Sequence, residues 1–164
     1  MKMTKKILVL VLAFAMILSI VGCAKKPIDY KKFKDVLEDD FDFEVEKGAT
    51  SKDIDKSYYA MDEDGDFTVS YTLFEDEDDA EEEFEDYIDD VEEWIDDDEF
   101  DGKKPKVTTS GKYSKAVVKG DHDDYGDMYV VLIRADNMLI MAGVNSDKDK
   151  DIDQVDKIVK KLGY

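Results

Sequence analysis

From Glu75 to Asp101 the chain places 19 Asp or Glu residues in 27 positions, with no Lys or Arg among them. The apolar residues inside that stretch are nevertheless ordered. Ala80, Phe84, Tyr87, Ile88, Val91, Trp94 and Ile95 follow one another at steps of 4, 3, 1, 3, 3 and 1. Such spacing traces a single stripe on a helix of 3.6 residues per turn, and every carboxylate falls outside it. The pattern predicts a helix from about Glu77 to Ile95 with one apolar stripe to bury and a broad acidic face in water. A helix of this kind has to lie on one other surface.

The rest of the chain supplies candidates for that surface. Tyr30, Phe33 and Leu37 recur at helical spacing after Pro27, predicting a short helix to about Glu38. Phe41, Phe43 and Val45 alternate with acids as in a half-buried strand. Residues 57–61 and 66–74 flank Asp62-Glu63-Asp64-Gly65 and read as a hairpin. Residues 105–120 read as two short strands around Ser110-Gly111, and 126–144 as two more joined at Asp136-Asn137. The last pair is almost continuously apolar, as central strands are. Ile152, Val155, Ile158, Val159 and Leu162 form the stripe of a final helix that Gly163 ends. The expected fold is α+β: a single antiparallel sheet of six or seven strands, two long amphipathic helices on one face, and a short N-terminal helix.

A length of 164 residues fits one domain, and 43% apolar residues with 8 Phe and 9 Tyr are enough for a core. The net charge of −20 argues against a nucleic-acid binder, whose partner's phosphates require a basic surface. It favours cationic partners or metal ions.

Residues 1–22 are of another kind. Lys2, Lys5 and Lys6 precede an uncharged run from Ile7 to Val21. As a helix, 15 residues cover about 22 Å, short of the ~30 Å hydrocarbon core, so the layout is that of a secretory signal peptide. Ile20-Val21-Gly22-Cys23 resembles the lipobox of bacterial lipoproteins. That resemblance implies a diacylglyceryl group on the Cys23 thiol, bearing fatty acids such as palmitate, and cleavage after Gly22, so that the mature chain begins at Cys23. Independently of it, Cys23 is the one cysteine of the chain and stands at the exit of the apolar run, so no internal disulfide forms. The plainer alternative is an ordinary leader with an incidental Cys. The expected organisation is a signal peptide (1–22), a lipidated tether (23–27) and an acidic domain (28–164), held at the outer face of the cell membrane. Without the leader the chain carries 20 basic and 43 acidic groups, a net charge of −23.

Several candidate sites stand beside simpler explanations. Asp96, Asp97, Asp98 and Glu99 oppose the dipole at the C-terminal end of the acidic helix and call for a positive neighbour. Loosely held Ca²⁺, a basic partner, or Lys103, Lys104 and Lys106 would each serve. No acidic loop satisfies the EF-hand pattern: with Gly65 at position 6, position 12 is Tyr71, and with Gly126 at position 6, position 12 is Leu132. His122, the single histidine, lies among Asp121, Asp123 and Asp124, a base beside orienting acids in principle. Ser110 and Ser114 lack a nucleophile-elbow context, and no zinc or phosphate-loop motif is present. Tyr58, Tyr59, Tyr113, Tyr125 and Tyr129 sit on or beside strands, as core, edge or binding-face residues.

The chain is therefore expected to be a membrane-anchored, non-enzymatic binding or accessory module without a required cofactor. The alternatives are a low-affinity cation-binding surface and a small hydrolase built on His122. A binding module using the open sheet face predicts an apolar patch there.

Overall fold

The computed structural model describes residues 25–164. The expected leader, Gly22 and Cys23 lie outside them. The elements run α1 (Tyr30–Asp35), continued by a π-helical turn (Val36–Asp40), β1 (Glu44–Lys47), β2 (Ile54–Met61), β3 (Phe67–Phe74) and α2 (Glu77–Asp96). Then come β4 (Phe100–Gly102), β5 (Lys106–Ser110), β6 (Tyr113–His122), β7 (Gly126–Ala135), β8 (Met138–Val144) and α3 (Asp149–Leu162).

All eight strands form one antiparallel sheet in the order β1-β2-β3-β8-β7-β6-β4, and β5 pairs beside β4 along the outer side of β6. The sheet thus has eight strands rather than six or seven. The additional one is β4, three residues at the end of the acidic run, too short to show a period of two. Hairpins place most strands next to their sequence neighbours; the exceptions are β8, which returns to lie beside β3, and β4, which pairs with β6.

The two long helices lie on opposite faces, which corrects the expectation that both cover one. Successive residues of a strand point to opposite sides, and β7 divides its side chains accordingly. Val130 and Leu132 cluster with Phe84 and Val91 of α2, while Val131 and Ile133 cluster with Val155, Ile158, Val159 and Leu162 of α3. The physical reason is in β7 itself: from Tyr129 to Ala135 every residue is buried, so both faces have to be covered. The face under α3 is the larger core. There α1 joins α3, Phe33 meeting Tyr71 with ring centroids 5.4 Å apart and Tyr30 stacking on Tyr58.

The register also defines two ends. One holds the Asp136-Asn137 turn, the β5–β6 turn, Phe74 and Ile54. The Tyr164 ring stacks on Tyr113, bringing the end of α3 there as well. The other end holds the β2–β3 turn and the β6–β7 turn. Asp123 N–H donates to Glu99 O and Asn145 N–H to Asp66 O, which gather the α2–β4 and β8–α3 connections at the same end. In residues 62–66, 96–99, 121–127 and 145–149 there are 14 acids and one lysine, Lys148.

Candidate functional site

The acidic helix behaves as its stripe requires. Asp76 caps it by accepting from Asp79 N–H at 3.1 Å, and Glu77, Asp78 and Asp79 occupy the favourable first turn. At the other end Asp97 N–H and Glu99 N–H donate to Glu93 O and Trp94 O, and the chain turns into β4. Asp96, Asp97, Asp98 and Glu99 are all exposed. The counter-charge is intramolecular: Lys104 Nζ lies 2.6 Å from Glu92 Oε2, one turn before the helix ends. Among the described residues no three Asp, Glu or His side chains converge in a geometry that would hold a metal ion.

His122 is buried under Trp94, Phe100 and Tyr125, with the Trp94 ring edge-on at 4.9 Å between centroids. Its Nδ1 accepts from Asp124 N–H at 3.1 Å. The imidazole is thus a packed, partnered residue of the α2-side core rather than a base beside orienting carboxylates. Ser114 is at the opposite end of β6, eight residues away, or roughly 26 Å along a strand. It is buried and shares a 3.2 Å hydroxyl contact with Thr109. Ser110 pairs with Tyr113 at that same far end. The structure brings neither serine to the histidine.

The aromatic candidates are mostly employed in packing. Tyr58 stacks on Tyr30, Tyr113 on Tyr164, and Tyr129 donates to Asp156 Oδ1 at 2.9 Å. Tyr125 is exposed, and Tyr59 donates to Glu46 Oε2 at 2.5 Å, which raises its own pKa. Tyr59 lies on the half of the α2 face that α2 leaves open. That half, formed by β1, β2 and part of β3, presents Ser57, Tyr59, Met61, Thr68, Ser70 and Thr72. It is polar, not the apolar patch an open binding face would offer. At its outer corner lies a cleft of about 540 Å³ lined by Glu38, Asp42, Glu44, Glu46, Asp62 and Glu63, with Phe43, Tyr59 and Met61 between them. No Lys or Arg lines it.

No family model matches the chain, and no curated protein or solved structure does.

Two features escape a reading of the sequence. Arg134, the single arginine, sits at 3% exposure inside the most apolar strand and reaches Glu81 at 3.2 Å and Glu77 at 3.7 Å. Its Nε has no hydrogen-bond partner. A lone Arg in VVLIRA was the available signal. The second is a clasp between the first and last described residues. Lys25 Nζ donates to Gly163 O at 2.6 Å, Lys32 Nζ to Leu162 O at 2.7 Å, and Tyr164 Oη to Lys26 O at 2.5 Å. Tyr71 Oη donates to Ile28 O at 3.1 Å. Gly163 makes this geometry accessible: its φ of 109° lies in the left-handed region, and a Cβ there would meet Lys32 Nζ at 3.2 Å. The two lysines satisfy carbonyls that the end of α3 leaves without helical partners. Burial pushes the Tyr71 hydroxyl up to about 12 and raises that of Tyr164 as well.

Among the described residues no helix is long and apolar enough to cross a membrane.

Proposed function

We propose that this chain is a lipid-anchored, extracytoplasmic protein whose single domain is a non-enzymatic binding module for a cationic partner. The anchor is a diacylglyceryl thioether at Cys23, formed as the leader is cut after Gly22. The observation that carries the binding half is the 540 Å³ cleft beside β1 and β2, with six carboxylates and no cation in its lining. An aromatic and thioether floor, buried Phe43 with the partly exposed Tyr59 and Met61, lies between those carboxylates and suits the methylene stems of Lys or Arg side chains. Polar surface around the cleft argues for a partner held by charge rather than by apolar burial. The burial of His122 and its distance from both serines favour binding over hydrolysis.

The test is titration of the protein with an oligolysine peptide at two salt concentrations. Binding should weaken as salt rises and fall at least tenfold when Glu44, Glu46, Asp62 and Glu63 are replaced by Gln or Asn. Affinity unchanged by the replacements would remove the cleft from the account.

A further inference from the structure

The clasp bears on how the domain meets a membrane. Lys25 is bonded to the body through its side chain and Lys26 and Ile28 through their carbonyls, so three Cα–Cα steps, at most about 11 Å, separate Cys23 from the first residue held by its backbone. An anchor so close to a fixed point determines which part of the body lies at the lipid. That part is the end of the sheet holding Tyr113, Asp136 and the close of α3. Lys25, Lys26, Lys112, Lys160 and Lys161 are placed there among acids of comparable number, Asp53, Asp136 and the run Glu75–Asp79 that starts α2. The opposite end carries the turns with 14 acids and one lysine. Ten-residue strands such as β7 put these ends roughly 33 Å apart. Several screening lengths of ~8 Å separate them at physiological salt.

We infer that the domain stands on an anionic bilayer by its clasp end, with the acidic end pointing away from the lipid. This rests on the reading of Cys23 as the lipid anchor. A lipid surface carries a negative potential that decays within one screening length. In the upright arrangement the mixed end, with its lysines, lies inside that layer and the 14 acids lie beyond it. Lying over or inverting brings the acids into it, and the short connection between Cys23 and the clasp gives the body little freedom to do so. The acidic cleft at Glu44 and Asp62 is then turned toward the medium, where a cationic partner reaches it.

The orientation is measurable because lipidation would consume the chain's one thiol. Full-length protein is produced in a bacterial host with one added cysteine, either Ser110→Cys at the clasp end or Asp64→Cys at the acidic end. Each is labelled with a dye and reconstituted into phosphatidylglycerol vesicles containing headgroup-nitroxide lipid. Quenching should be several-fold stronger at position 110 than at position 64. With palmitate incorporated at Cys23, equal quenching at the two positions overturns the orientation and leaves the anchor standing. Failure to incorporate palmitate overturns the anchor reading and the orientation with it. In a Lys25→Ala/Tyr164→Phe background the contrast should shrink while palmitate incorporation stays unchanged. A contrast that survives intact overturns the clasp as the orienting device.

Discussion

Lys25 Nζ donates to the Gly163 carbonyl across 2.6 Å, joining two residues 138 positions apart. The same junction receives Tyr164 Oη on Lys26 O and Tyr71 Oη on Ile28 O. Each such bond contributes a net ~0.5–1.5 kcal/mol. Tyr164→Phe should therefore cost about 1 kcal/mol in denaturant unfolding. It should also speed amide hydrogen exchange locally, at residues 25–28 and at the end of α3. Exchange changes spread evenly over the sheet would contradict a local clasp.

Alkali should release the clasp. The Tyr71 hydroxyl is raised from about 10 to about 12, mainly by burial, and Tyr164 is raised for the same first reason. A group whose folded pKa lies above its unfolded value binds its proton more tightly when folded. Its stabilisation is complete below pH ~10 and is lost as pH rises toward 12. The melting temperature should stay level to about pH 10 and then fall, with a smaller fall in Tyr71→Phe. Tyr87, also pushed up to about 12 by burial, should ionise late in an ultraviolet tyrosinate titration.

Arg134 makes an asymmetric prediction. A buried cation deprived of its partners is strongly destabilising, whereas an apolar replacement of similar shape is close to neutral. Removing both carboxylates as Glu77→Gln/Glu81→Gln should cost on the order of 2–3 kcal/mol. This is below the value for fully buried pairs because the acids are partly solvated. Arg134→Met, which also removes the unpartnered Nε, should change stability by less than about 1 kcal/mol. Thermal unfolding of the three proteins decides it. Equal losses in both variants would mean that the pairing itself stabilises the fold.

The placement of α2 and α3 on opposite faces is open to a double-mutant cycle. Phe84 shares a cluster with Leu132, while the adjacent Ile133 faces α3. Phe84→Ala and Leu132→Ala should couple by roughly 0.5–3 kcal/mol, and Phe84→Ala with Ile133→Ala should be additive within about 0.5 kcal/mol. Coupling of the second pair as strong as the first would reverse the layering.

Much of this architecture is legible in the residues, and the misreadings have specific causes. The α2 stripe from Ala80 to Ile95 located that helix to within a residue or two, because its acids permit no other burial. The hairpin around Gly65 and the tight turn at Asp136-Asn137 likewise follow from local chemistry. The sidedness of the helices was also encoded, in the unbroken apolar run of β7, but each stripe taken alone says only that a helix needs a partner. Strand β4 was hidden because Phe100-Asp101-Gly102 has no period and ends an acidic run. The first hairpin strand is expected from residue 57, although β2 already begins at Ile54. The clasp and the cleft join residues distant in sequence, and no local pattern announces either. His122 illustrates the reverse: its acidic neighbours suggested chemistry, while Trp94 and Phe100, which bury it, come from other elements.

Intact-mass spectrometry of the protein recovered from bacterial membranes decides whether the thioether at Cys23 forms. The expected species is a chain starting at Cys23, heavier than its residues by a diacylglyceryl group, with no thiol open to alkylation. A full-length chain still bearing its leader, with Cys23 readily alkylated, would contradict it.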